Sequence, residues 1–160
     1  MTHPILSDEQ ARALFTTLHN TTFDWTATQV PALMAELGWT IDDTVTIPGK
    51  AALADVPWGL PQVAVDLQFT GDVVNAFYIP LVSPARDPAA QLEVADAFAR
   101  FALLLADIFG SSGTRVPGEH PGLRWRHENV VLKLQGGTKT MFAFWARADF
   151  QDSLDKVAAG

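Results

Sequence analysis

The sequence predicts a single α+β domain: a mostly antiparallel sheet of about six strands, packed by a long central helix, in the order ααβββαβββα. Three observations support this. The 160 residues are 48% hydrophobic and include ten Phe and five Trp, enough for one sizeable core. Apolar and polar residues alternate in several segments joined by short turns, as in antiparallel hairpins. One long segment carries a wide apolar stripe at helical spacing, so we expect the helices to cover one face of the sheet.

Two short helices are predicted ahead of the first strand. Ser7 and Gln10 have the spacing of a capping box, so the first helix should run from about Asp8 to His19. The second should run from about Thr28 to Leu37, and Gly38 is suited to end it in the left-handed conformation.

The long central helix is predicted to end at Phe109, before Gly110. Asp87 has the chemistry of an N-cap, and Pro88 fits the first turn because its missing N–H has no partner there. A last helix is expected from Phe150 to Ala158.

Six strands are predicted from period-two alternation and from the turns between them. Thr70-Gly71-Asp72 and Gly136-Gly137 favour hairpin turns. The segment Lys50–Gln62 contains Pro and Gly and is expected to be an irregular loop. The predicted strands are Thr40–Ile47, Val63–Phe69, Val73–Val82, Leu123–His127, Val130–Gln135 and Thr140–Arg147.

The charge is acidic and uneven. The formal net charge is −7; residues 1–110 carry 4 Lys/Arg and 13 Asp/Glu, and residues 111–160 carry 7 and 5. An acidic protein repels phosphate groups, which argues against nucleic acid as a partner. The same charge either maintains solubility or attracts a basic partner.

No motif in the sequence specifies catalysis or metal binding. Cys is absent, which excludes disulfides and thiolate metal sites. His120 and His127 lie beside Glu119 and Glu128, but neighbours on a strand point to opposite faces. We therefore predict a protein that is not an enzyme and has no cofactor or metal, while catalytic groups converging from distant positions remain an open alternative.

The candidate partner-binding residues are acidic, with one aromatic among them. Two roles are open for that aromatic, which lies in a Pro-Trp-Gly-Leu-Pro loop: an anchor ringed by carboxylates, or a lid over the end of the core. The candidates are Asp42, Asp43, Asp55, Trp58, Asp66 and Asp72.

A smaller basic surface is predicted on the second half of the chain. Arg124 and Arg126 share one face of their strand, and Lys133 and Gln135 extend it from the next strand. This face is expected to be either solvated or a contact surface, since Arg is enriched at interfaces.

Three features carry a family resemblance: Val30-Pro-Ala-Leu-Met-Ala-Glu-Leu-Gly-Trp39, a hairpin leading into a long Ala-rich helix, and Gly122-Leu-Arg-Trp-Arg followed by Val130-Val-Leu-Lys-Leu134. Together they resemble small actinobacterial proteins of uncharacterised-domain type, many of which are encoded beside polymorphic secreted toxins and are similar to their immunity proteins. The order of strands and helices also resembles type III secretion chaperones. These resemblances imply a protein that binds another protein.

The leading expectation is an immunity protein that binds and occludes a secreted toxin domain. The alternatives are a secretion or assembly chaperone, and a small-molecule or lipid-binding domain with a pocket between the sheet and the long helix. The N-terminus has no basic segment followed by a long apolar run, and no helix is apolar enough to span a bilayer. We therefore expect a cytoplasmic protein without a membrane partner.

Overall fold

One eight-stranded antiparallel sheet forms the framework of the protein. The computed structural model describes residues 2–136 and 139–159. The strands lie side by side in the order β1-β2-β3-β4-β8-β7-β6-β5, and every neighbouring pair is antiparallel. They are β1 (Thr40–Ile47), β2 (Ala51–Asp55), β3 (Val65–Thr70), β4 (Val73–Pro80), β5 (Thr114–Val116), β6 (Gly122–His127), β7 (Val130–Gly136) and β8 (Met141–Arg147).

In the part of the chain that the structure describes, four α-helices and one short 3-10 helix pack on this sheet. The α-helices are α1 (Asp8–Asn20), α2 (Val30–Leu37), α3 (Pro88–Phe109) and α4 (Ala148–Ala159), and the 3-10 helix (Ala27–Gln29) leads into α2. The α+β class and the antiparallel sheet are confirmed. The predicted strand number and element order are wrong, because β2 and β5 are present in addition to the six expected strands.

The two missed strands carry weak sequence signals. Ala51–Asp55 reads Ala-Ala-Leu-Ala-Asp, which lacks the β-branched and aromatic residues that are typical of strands. It is a strand because it pairs on both sides, with β1 and with β3. β5 has three residues and lies at the end of the strand order, where it pairs with β6.

The helix boundaries follow the predicted capping chemistry. The Ser7 hydroxyl accepts from the Gln10 N–H, and the Gln10 side chain accepts from the Ser7 N–H, each at 3.0 Å. The Asp87 carboxylate accepts from the Ala90 N–H at 2.8 Å at the start of α3. Gly110 ends α3 with a φ of +73°, a conformation that glycine adopts without strain.

The main core lies between the sheet and the layer formed by α1, α2 and α3. Its centre is aromatic: the rings of Trp25, Phe77 and Trp145 lie with centroids 4.8 to 6.0 Å apart, and Phe15 meets Phe101 edge-on where α1 crosses α3. All five side chains are buried. Burying aromatic area of this kind is the largest favourable contribution to a core of this size.

The last helix covers the opposite face of the sheet. Phe150 of α4 packs against a small second core formed by Ala76 of β4 and by Phe144 and Ala146 of β8. The expectation that the helices cover one face is therefore wrong. The amphipathic pattern of α4 marks an inner side of the helix but does not specify which face of the sheet it covers. The predicted Gly136-Gly137 turn reaches outside the described residues at Gly137.

Candidate functional site

The sheet face that α4 partly covers, here called the outer face, brings the predicted polar residues into register. Antiparallel partners project their side chains to the same side. Across the sheet the partners run Asp42, Leu53, Asp66, Tyr78, Phe144, Lys133 and Arg124. The outer face is therefore acidic on β1–β3, aromatic at its centre and basic on β6–β7.

The arginines of the basic half pair with carboxylates of α4. Arg124 donates to both oxygens of Asp155, at 3.3 and 3.0 Å, and Arg126 donates to Asp152 at 2.6 Å. Lys133 lies beneath α4 with 8% of its surface exposed, and its ammonium is 4.3 Å from the centroid of the Phe144 ring. Arg124, Arg126 and Lys133 share one face of the sheet, as predicted. That face is covered by α4 and is not an open surface.

Two groups at the contact between α4 and the basic half have shifted pKa values. Burial lowers the pKa of Lys133, the nearby charge of Arg124 lowers it further, and Asp155 opposes both. Burial raises the pKa of Asp155, but the hydrogen bonds from Gln151 and Arg124 and the charges of Arg124 and Lys133 lower it more, so it lies below 3.8. Asp155 is thus the carboxylate most strongly tied to the docking of α4.

Asp155→Asn is expected to lower the free energy of unfolding at neutral pH by about 1 kcal/mol, since the pair with Arg124 is half-exposed and screened. A carboxylate with a lowered folded pKa stabilises the protein above its ordinary value of 3.8, and this stabilisation is lost as the pH falls through the folded value. Urea unfolding of both proteins at a series of pH values measures this. The difference should vanish in acid; a difference that persists there contradicts the assignment.

The acidic half has no covering element among the described residues, and we call it the open face. It combines carboxylates at its edge with partly buried aromatic rings at its centre. A groove of about 300 Å³ lies between β3, β4 and the start of β8. The open face comprises Asp42, Leu53, Asp55, Asp66, Gln68, Tyr78, Pro80 and Phe142.

Two groups of the open face have shifted pKa values. The Thr44 hydroxyl and the Thr44 N–H both donate to Asp42, at 2.6 and 3.0 Å, and lower its pKa, so Asp42 holds its negative charge firmly. Burial raises the pKa of Tyr78, and the neighbouring charge of Asp66 raises it further. Tyr78 therefore presents a neutral hydroxyl beside a carboxylate.

The structure brings together three of the six candidate residues. Asp42, Asp55 and Asp66 share the outer face, with Asp42 and Asp66 two strands apart, roughly 10 Å. Asp43 is exposed and directly follows Asp42 on the edge strand β1. Asp72 lies in the turn between β3 and β4, where its carbonyl accepts from the Ala27 N–H at 2.7 Å.

Trp58 lies on the other side of the sheet. Its ring meets the buried Trp39 ring edge-on, with centroids 6.0 Å apart, and it lines a shallow groove with Gln10 and Leu14 of α1 and Glu36 of α2. The half-buried Trp58 packs against the main core. This placement favours the lid over the anchor ringed by carboxylates.

A polar cleft of about 330 Å³ was not predicted. It lies where the end of α1 meets the turn between β6 and β7. The rings of His19 and His127 stack there with centroids 4.2 Å apart, and His19 Nδ1 donates to Asn20 at 2.9 Å. Trp145 lines the cleft, and its buried Nε1 has no hydrogen-bond partner among the described residues. No sequence pattern indicated this cleft, because a helix end and a strand end come together only in the fold.

An apolar groove of about 560 Å³ lies between α3 and the β5–β6 end of the sheet. Phe98, Val116 and Leu123 contribute to its lining, and Arg115 adds a charged side chain there. Its position matches the pocket between sheet and long helix that the ligand-binding alternative requires.

Within residues 2–136 and 139–159, no cluster of three or more His, Asp or Glu is arranged to hold a metal ion. Over the same residues, no helix has both the length and the apolar character needed to cross a bilayer.

The fold and its outer face define an α+β sheet protein with one exposed acidic half-face. The chain belongs to a family described as a family of unknown function, DUF6301, whose model matches residues 9–147. The match ends at the last residue of β8, so α4 lies beyond it. No curated protein and no solved structure matches the chain. The resemblance to immunity proteins therefore stays a prediction.

Proposed function

We propose that this protein binds a basic partner protein through the open face and occludes it, as a cytoplasmic immunity protein does with a secreted toxin domain. The observation that carries the proposal is the contrast between the two halves of the outer face. The basic half is paired with α4, whereas Asp42, Asp55 and Asp66 of the acidic half pair with no cation among the described residues.

The chemistry of the open face suits a protein partner. Tyr78 and Phe142 supply flat apolar area at its centre, with ring centroids 6.3 Å apart, and aromatic residues dominate the energetics of protein interfaces. The surrounding carboxylates act at longer range and speed the encounter with a positively charged partner. A steric inhibitor needs only this complementarity of shape and charge.

The test begins with the partner. The chain is used to capture proteins from its native host, and the captured protein is purified and assayed with and without an equimolar amount of the chain. Asp42→Lys with Asp66→Lys is compared with Glu9→Lys and Glu36→Lys, which make the same change of net charge on the helical side. The open-face pair is expected to lower the association rate at low salt by about 10-fold or more, and the control pair much less.

The proposal fails if the two double variants slow association equally, because the net charge alone would then account for binding. It also fails if the partner's activity is unchanged in the complex. A partner bound only as an extended or unfolded segment supports the chaperone alternative in its place.

The apolar groove beside Phe98 and Leu123 favours a second candidate, the binding of a small apolar ligand or lipid chain. A groove of this volume accommodates a ligand of moderate size, and Arg115 at its edge suits a carboxylate or phosphate head. This candidate places the ligand on the side of the sheet opposite the open face.

A further inference from the structure

The solvent-facing side of α3 exposes two leucines among its charged residues, although a surface helix is expected to expose mainly polar side chains. Leu92 and Leu103 are 68% and 73% exposed, and Ala95 and Ala99 are exposed between them. The opposite side of α3, including Phe101, is buried against the main core. A helix that lies on a domain surface normally turns polar and charged residues outward, so the exposed leucines and alanines form an apolar stripe that no other described residue covers.

The outward residues follow the spacing of a helix–helix seam. Leu92, Asp96, Ala99, Leu103 and Ala106 are separated by steps of four, three, four and three residues. This alternation keeps side chains on one stripe facing a second helix. The small Ala99 at the middle lets two helix backbones approach closely, and the leucines at either side supply the apolar area.

The stripe is complementary to itself when two copies run antiparallel. With the twofold axis between Ala97 and Phe98, Leu92 of one copy faces Leu103 of the other, and the reverse contact is identical by symmetry. Between the two leucine pairs, the small Ala99 of one copy faces Asp96 of the other.

The charges beside the stripe also match in this arrangement. Asp96 belongs to the stripe and Arg100 lies one turn further along at its edge. In the antiparallel pair, Asp96 of one copy is offset from Arg100 of the other by one residue, about 1.5 Å along the axis. Asp96 forms no ion pair within the described part of the chain. Arg100 uses Nε to hold Asp8 at 3.1 Å, which leaves its terminal nitrogens for a second carboxylate.

We propose that α3 is a docking surface for α3 of a second copy of this chain, packed antiparallel with reciprocal Asp96–Arg100 pairs. One helix pair is a small interface, so the dimer dissociates in the micromolar range. Because α3 and the open face lie on opposite sides of the sheet, the dimer presents two open faces outward. The inference does not depend on the proposed function, since self-association is measured without any other partner.

Sedimentation velocity of the full chain over a wide concentration range tests the proposal. The wild-type protein is expected to shift from monomer to dimer. Leu103→Glu should raise the dissociation constant about 100-fold, because it places a charge opposite Leu92 of the other copy. Val157→Glu is the matched control: Val157 is 80% exposed on α4, far from the seam, and its variant should dimerise like the wild type.

A charge exchange tests the orientation. Asp96→Arg alone should weaken the dimer about 10-fold, and Asp96→Arg combined with Arg100→Asp should restore it to within a few-fold of wild type. All these positions are exposed, so circular dichroism should show the fold unchanged. A chain that stays monomeric at every concentration overturns the proposal. So does a dimer that resists Leu103→Glu, one that Val157→Glu disrupts equally, or one that the charge exchange does not restore.

Discussion

Gly122→Ala is expected to destabilise the protein by about 3 kcal/mol, among the largest losses from a single methyl group in this fold. Gly122 lies in β6, between Val116 of β5 and Gln135 of β7. A β-carbon built there collides with the backbone carbonyl of Leu134 and lies 2.9 Å from the Cα of Gln135. Both contacts are to backbone, which cannot turn away as a side chain would, so the β6–β7 pairing has to open.

Gly59→Ala is the matched control. Its β-carbon meets nothing within 4 Å, and its φ of +70° brings only the strain of the left-handed conformation, about 1 kcal/mol. Urea unfolding measures both losses, and amide hydrogen exchange should show faster opening at Leu123 and Leu134, which face each other across β6 and β7, in the Gly122 variant alone. Equal losses in the two variants would mean that the strands adjust to the added methyl group.

The elements that sequence could predict are those with local causes. The Ser7 cap, the Asp87 cap and the glycine that ends α3 depend on residues within one turn, and the structure has them all. β1 begins and ends at Thr40 and Ile47, as its alternation predicts. The hairpin of β3 and β4 likewise follows from its alternating residues and the turn at Gly71.

The elements that sequence missed have causes far away along the chain. Ala51–Asp55 is a strand because β1 and β3 lie on either side of it, not because of its own residues. Likewise α4 lies on the outer face, where Phe150 packs against the second core and Asp152 and Asp155 pair with Arg126 and Arg124. The local propensity of a segment does not specify which strands or side chains it will contact. The strand β2 and the position of α4 therefore depend on the assembled sheet.

In the candidate site, too, some features follow from local sequence patterns and others depend on contacts between distant parts of the chain. Alternation along β3 correctly places Asp66 opposite the core, whereas the sequence predicts that Asp55 lies in an irregular loop. The placement of both on one face with Asp42 depends on strand pairing and register. Trp58 lies near the candidate aspartates in the sequence, yet its loop turns the ring to the helical side of the sheet, against Trp39. The cleft of His19 and His127 depends on tertiary structure throughout and has no local signal.

Trp145→Ala is expected to cost about 3 to 5 kcal/mol of the free energy of unfolding. The Trp145 ring is 1% exposed and lies within 5.0 Å, centroid to centroid, of Trp25 and Phe77, with Phe23 at 6.1 Å. Removing it takes a large ring out of the centre of the main core and opens that cavity towards the polar cleft. The remaining rings are held by β4 and by the segment before the 3-10 helix, so they cannot close the space.

Trp145→Phe separates the packing of this ring from its polar atom. The Nε1 of Trp145 is buried without a hydrogen-bond partner among the described residues, so replacing indole by phenyl loses volume but no such bond. We expect a loss of about 1 to 2 kcal/mol, well below that of Trp145→Ala, by thermal or urea unfolding followed by circular dichroism. If Trp145→Phe is as costly as Trp145→Ala, the loss of ring volume alone does not account for the cost, and the indole N–H contributes to stability. The two variants together thus decide whether Trp145 stabilises the protein only by filling the core or also through its N–H.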